Sequence, residues 1–157
     1  MANEKELRAA NNAYETVCAG LDKMNWKYER HDNDRVVSFG VNGEDIPMQM
    51  IIVVDAERQL IRLLSKLPFA MEKERRVEGS IITNCVNYRL ADGSFDFDLG
   101  DGSIVFRLVA SYRASLIDPE LIRYMCLVAC STIDKYNDRF MMVNKGLMSV
   151  SEFLDKD

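Results

Sequence analysis

The stretch 93-GSFDFDLGDGSIVFRL-108 decides how this chain folds. Three aspartates, Asp96, Asp98 and Asp101, fall within six residues beside glycines. Such a run reads as a calcium loop, as paired catalytic carboxylates, or as a β-hairpin with charges on its wet face. The calcium loop fails on position. An EF-hand needs acidic or amide oxygens at positions 1, 3 and 5, glycine at 6 and glutamate at 12. Counted from Asp96, position 5 is Gly100, position 6 is Asp101 and position 12 is Arg107. Catalytic carboxylates need a concave, water-excluding site to separate their pKa values. Adjacent outward positions on a hairpin supply none by themselves. The hairpin explains every residue. Asp101-Gly102 is a type I′ turn signal. A two-residue turn there pairs Leu99 with Ile104, Phe97 with Phe106 and Phe95 with Leu108, which makes one apolar face. Asp96 then lies opposite Arg107, and Asp98 points the same way.

Upstream, the spacing predicts a helix from Met71 to about Leu90, with Val77, Ile81, Cys85 and Tyr88 on one stripe. Gly79 inside it costs about 1 kcal/mol relative to alanine and marks a possible close approach. Asn84 and Asn87 near its end either bond to local backbone or, with Tyr88, anchor a ligand. Pro68 breaks the chain before this helix. Further upstream, "DRVVSFGV" (34–41) and "IPMQMIIVVD" (46–55) flank the hairpin signal Asn42-Gly43, and "QLIRLLSKL" (59–67) follows a turn near Asp55–Arg58. "WKYERHD" (26–32) alternates weakly, as an edge strand does.

A two-residue loop at Asn42-Gly43 sets Val41 against Glu44 and Phe39 against Ile46. One face then collects Val37, Phe39, Ile46, Met48, Met50, Ile52, Val54, Ile61 and Leu63, the evident core. The other carries Val36, Ser38, Pro47, Gln49, Ile51, Val53, Leu60, Arg62 and Leu64. That second face holds too many aliphatics to stand in water. It requires cover from the chain's own helices or from another chain. Ile51, Val53, Leu60 and Leu64 are the candidate dimer or partner surface.

The ends are helical. Leu7, Ala10, Tyr14, Val17, Leu21 and Met24 step by three and four along one stripe. Asp118-Pro119-Glu120 opens a long helix, with Asp118 as N-cap and Pro119 at its first position. Leu121, Ile122, Met125, Val128, Ala129, Ile133, Tyr136 and Phe140 form its buried face, and it stops by Gly146. "SVSE" (149–152) has capping-box spacing and predicts a short last helix.

The 157 residues carry a net charge of −5, and no basic stripe marks a nucleic-acid binder. No run of 18 apolar residues predicts a membrane span, and the charged N-terminus lacks a signal core. Cys18, Cys85, Cys126 and Cys130 form no Cys-x-x-Cys pair and read as reduced thiols. The single histidine, His31, leaves too few nitrogen ligands for a typical histidine-rich metal site. Phosphate-loop, dinucleotide, zinc-protease and nucleophile-elbow motifs are all missing. The residues therefore predict no catalytic group, metal or cofactor.

With "NCVNYRLADGSFDFDLGDGSIVFR" (84–107), "SLIDPELIRYMCLVACSTIDKY" (115–136) and the closing "KGLMSVSEFL" (145–154), the chain resembles the YbjN family of bacterial proteins. Members of that family look like type III secretion chaperones in fold. The resemblance implies an α+β architecture, α-β-β-β-α-β-β-α, with an antiparallel sheet flanked by helices in one domain over 1–157. It also implies dimerisation and a role in regulation or in holding a partner polypeptide. The functional expectation is a non-enzymatic cytosolic protein-binding module that forms a homodimer, chaperone-like or regulatory, with a small-ligand sensor as the alternative.

Overall fold

The computed structural model describes residues 1–156. The chain forms α1 (Glu4–Lys23), β1 (Glu29–His31), β2 (Val36–Asn42), β3 (Pro47–Asp55) and β4 (Leu60–Ala70). A 3-10 turn (Lys73–Arg75) then leads into α2 (Arg76–Arg89), β5 (Ser94–Phe97), β6 (Ser103–Ser111), α3 (Pro119–Asn144) and α4 (Val150–Asp155). This is the α+β fold that the resemblance implies, with one more strand. The short β1 lies within the weakly alternating stretch 26–32 and adds an edge to the three strands of the implied order.

The sheet has the order β1-β2-β3-β4-β6-β5, and every pair is antiparallel. Its inner face carries Val37, Phe39, Met48, Met50, Ile52, Val54, Ile61, Leu63, Phe106 and Leu108, all buried in one core with α1, α2, α3 and α4. Each large aliphatic buried this way contributes about 1.5–3 kcal/mol. Phe95 meets Phe106, Tyr136 and Phe140 edge-on, at centroid distances of 5.3, 6.1 and 5.0 Å. Phe140 in turn stacks on Phe153 of α4 at 5.9 Å.

The helix starts follow their sequence signals. Asn3 Oδ1 accepts from Glu6 N, and the Glu6 carboxylate accepts from Asn3 N, which closes a capping box on α1. Asp118 caps α3 with Pro119 in its first turn, and Ser149 and Glu152 form the second capping box, on α4. The short β1 is tied to α1 by side chains. Tyr14 Oη donates to Asp32 Oδ1 at 3.0 Å, and Arg30 bridges Glu15 and Asp32 at 2.6 and 2.8 Å.

Both turn registers differ from expectation. Asn42 pairs with Pro47 and Phe39 with Met50, so residues 43–46 form the loop, closed by Gly43 N donating to Ile46 O. Asp134 on α3 holds that loop by accepting from Glu44 N at 2.9 Å, which favours the longer connection. In the second hairpin Phe97 pairs with Ile104 and Phe95 with Phe106, leaving residues 98–102 as the turn. Asp98 Oδ1 accepts from Gly100 N and Asp101 Oδ1 from Ser103 N, local bonds that stabilise this wider turn.

Pro68 does not end its strand. It lies within β4, between Lys66 opposite Val105 and Ala70 opposite Ser103, where the register shifts. A bulge is one of the few places where a sheet accepts a residue without an N–H. The buried side of α2 is not the apolar stripe. Gly79, Ile82, Thr83 and Val86 are buried, whereas Val77, Ile81 and Tyr88 are exposed. The small Gly79 lets α2 come down on Phe97 and Met71; a Cβ there would stand 2.7 Å from the Phe97 ring. Thr83 tolerates burial because its hydroxyl donates to Gly79 O at 2.8 Å.

Candidate partner-binding face

The helices leave the outer face of the sheet open. Cross-strand registers place Ser38, Ile51, Leu64 and Arg107 in one row, and Val36, Val53, Arg62 and Val109 in the next. Ile51 is 39% exposed, and Val36, Val53, Leu60, Leu64, Val105 and Val109 are half-buried. None of the six half-buried ones packs against the core cluster, although half-buried residues of the inner side such as Val41 and Ala110 do. The candidate residues Ile51, Val53, Leu60 and Leu64 are thus brought together, on a surface no helix covers. The expectation left cover by the chain's own helices open; these helices all stack on the inner side.

Three ion pairs frame this face. Arg107 binds Asp96 at 2.6 Å as a diagonal neighbour, because the register sets Arg107 directly opposite Ser94. Asp55 takes Arg58 at 3.1 Å and Arg62 at 3.6 Å. Its carboxyl is held below the usual range first by the backbone N–H of Arg58, then by the Arg58 side chain, against the opposing effect of burial. Asp101 is likewise held low by hydrogen bonding from Ser103. The three aspartates of the opening stretch are therefore engaged in a salt bridge and in turn contacts.

Asn84, Asn87 and Tyr88 meet at a surface hollow of about 440 Å³, shared with Cys85, Arg89 and Leu154. Tyr88 is 91% exposed. The Asn87 amide is used at both ends on the backbone of Phe95, where it donates at 2.9 Å and accepts at 2.7 Å. The exposed stripe Val77, Ile81 and Tyr88 is a second apolar surface. Its residues lie on the stripe that sequence periodicity located on α2.

His31 sits on the edge strand, 3.2 Å from Ser38 Oγ. The four cysteines are free. Burial pushes the Cys126 thiol up to about 12 and the Cys130 thiol up to about 11, so both are protonated and poorly nucleophilic near neutrality. Among the described residues, no group of three or more His, Cys, Asp or Glu is placed to hold a metal. Among the described residues, no helix is long and apolar enough to cross a membrane.

This arrangement, a six-stranded antiparallel sheet with helices stacked on one side, is the fold class of the YbjN and secretion-chaperone structures. YbjN from E. coli, a candidate transcription regulator, matches with a TM-score of 0.58 at 12% identity, over 80% of this chain and 92% of that one. A chain of the HopA1–SchA chaperone–effector complex matches with a TM-score of 0.51 at 12% identity, over 82% of this chain and 97% of that one. No protein-family model and no curated protein matches the sequence.

Proposed function

We propose that this chain is a non-enzymatic cytosolic protein-binding module, chaperone-like or regulatory, whose working surface is the open face of the sheet. The observation that carries the reading is the outward patch of Ile51, Val53, Leu60 and Leu64, joined by Val36, Val105 and Val109 and left uncovered by the helices. Backbone groups in the interior of the sheet are already paired, so this surface offers side chains. Its natural occupant is a polypeptide segment that presents apolar side chains of its own. The likeness to a chaperone–effector complex supports a polypeptide partner. Four thiols with no disulfide fit a reducing compartment.

The test uses a photo-crosslinking amino acid at position 51, at position 64 and, as a control, at the exposed helical position 81. The reading predicts one defined adduct from positions 51 and 64 and its loss in the Val53→Glu variant. Adducts of equal yield from position 81, or adducts unaffected by Val53→Glu, overturn it.

A further inference from the structure

The outward residues of β4 alternate between aliphatic and cationic: Leu60, Arg62, Leu64 and Lys66, with buried Ile61, Leu63 and Ser65 between them. β6 adds Arg107 between Val105 and Val109. The register sets Lys66 opposite Val105, Leu64 opposite Arg107 and Arg62 opposite Val109, so the three cations surround Leu64. Neither strand contains an acidic residue. The chain as a whole carries a net charge of −5, so cations at the centre of the open face run against its overall balance.

The three cations differ in how firmly they are held. Arg107 donates two hydrogen bonds to Asp96, at 2.6 and 3.1 Å. Arg62 is held loosely. Its Nε is buried without a hydrogen-bond partner. Its Nη2 stands 3.6 Å from Asp55 Oδ2, beyond hydrogen-bond reach. Asp55 makes its shorter contacts with Arg58, accepting from the backbone N–H at 2.8 Å and from Nη1 at 3.1 Å. Lys66 is exposed and, among the described residues, has no ion-pair partner. Its charge helps to hold Asp101 low, but that carboxylate already accepts from Ser103 N. Arg62 and Lys66 therefore retain donors for a group from outside the chain.

We infer, resting on the reading of the open face as a partner surface, that its partner is an extended segment of another protein in which carboxylates alternate with aliphatic side chains. An extended chain repeats its side chains on one face about every 7 Å, the same interval as Arg62, Leu64 and Lys66 along β4. Laid over that strand, the segment sets one carboxylate against Arg62, one against Lys66 and an aliphatic between them on Leu64. Ile51 and Val53 on β3, with Val105 and Val109 on β6, extend the apolar contact to either side. A carboxylate meets the planar guanidinium at two points and the ammonium as a point charge. A purely apolar segment would shield both cations from water without a counter-charge, which is unfavourable.

The experiment is fluorescence anisotropy of labelled octapeptides titrated with the full chain. One peptide alternates aspartate with leucine, a second has serine in place of aspartate, a third has lysine there, and a fourth is all glutamate. Saturable binding of the aspartate–leucine peptide is expected, about tenfold tighter than that of the other three. Arg62→Gln and Lys66→Gln should each weaken it about twofold to fivefold with circular dichroism unchanged, and Ile51→Ser should weaken it too. If Arg62→Gln loses its fold, Lys66→Gln carries the comparison. Equal affinity for the serine–leucine peptide, or no effect of the charge variants, while Ile51→Ser still weakens binding, overturns the acidic partner and leaves the open face as the binding surface. Binding indifferent to Ile51→Ser overturns the open-face reading and this inference with it. Tightest binding of the lysine or all-glutamate peptide overturns the inference, as does a chain that binds no peptide and pairs only with its own copy.

Discussion

Asn87 holds Phe95 by two hydrogen bonds, one from its Nδ2 to the Phe95 carbonyl at 2.9 Å and one to its Oδ1 from the Phe95 N–H at 2.7 Å. β5 is the last strand of the sheet, and its outer backbone edge would otherwise lie bare. The amide does what a neighbouring strand would do, and it blunts the edge against pairing with another chain. Asn87→Ala leaves both groups without a protein partner in a half-buried place. A loss of about 2 kcal/mol in urea unfolding is expected, together with faster hydrogen exchange at the Phe95 amide. An unchanged exchange rate at Phe95 would show that the clamp is not what protects this edge.

Gly102 is constrained from two sides. Its φ is +79°, and a Cβ there would run into the backbone carbonyl of Met71. Met71 N also donates to Gly102 O at 2.8 Å, so the two segments cannot separate freely. Gly102→Ala should therefore cost at least about 2 kcal/mol by thermal or chemical unfolding. Gly100→Ala is the control, since its Cβ would meet only the carboxylate of Asp98 on the exposed turn. Equal stability of the two variants would refute the steric account.

Strand faces were legible in the sequence even where the turns were not. Phe39 pairs with Met50 instead of Ile46, and Phe97 with Ile104 instead of Phe106. Those slips are of four and two residues, and even slips leave every side chain on its own face. The rows of the open face survive for that reason. Whether helices cover the face depends on which side they stack, and no local pattern states that. In α2 the stripe and the close approach at Gly79 were legible, but which side packs was not, because apolar periodicity does not say that a glycine and a threonine can form the packed side. Gly79 and the self-bonded Thr83 form the packed side, and Val77 and Ile81 the wet one.

The buried thiol of Cys126 makes stability fall at alkaline pH. Burial raises its pKa from 9.0 to about 12. The folded state thus keeps a proton that the unfolded chain gives up. This contribution is fully present below about pH 9 and is lost as pH rises from there toward 12. Tyr14, pushed by burial from 10.0 to about 12, acts in the same direction. Urea midpoints should decline above pH 9, with a shallower decline in Cys126→Ala. At pH 8 the native Cys126 should react with a thiol reagent far more slowly than it does in urea. Equal rates would mean that the thiol is not buried in solution.

Ile51 and Ile52 are neighbours in β3 on opposite faces, and they separate association from folding. Ile52 is fully buried in the core, whereas Ile51 is 39% exposed on the opposite face. In the purified protein the polypeptide available to the open face is another copy of the chain. A two-fold pairing uses the same apolar patch on both subunits. The wild type should therefore sediment as a dimer at high micromolar concentration. Ile51→Glu should shift it to monomer with circular dichroism intact and a stability change within about 0.5 kcal/mol, as for surface sites. Ile52→Glu should unfold the chain, because it places an unpaired charge in the core. Unfolding by Ile51→Glu would mean that the face is covered from within. A wild-type monomer at that concentration would exclude pairing through this patch.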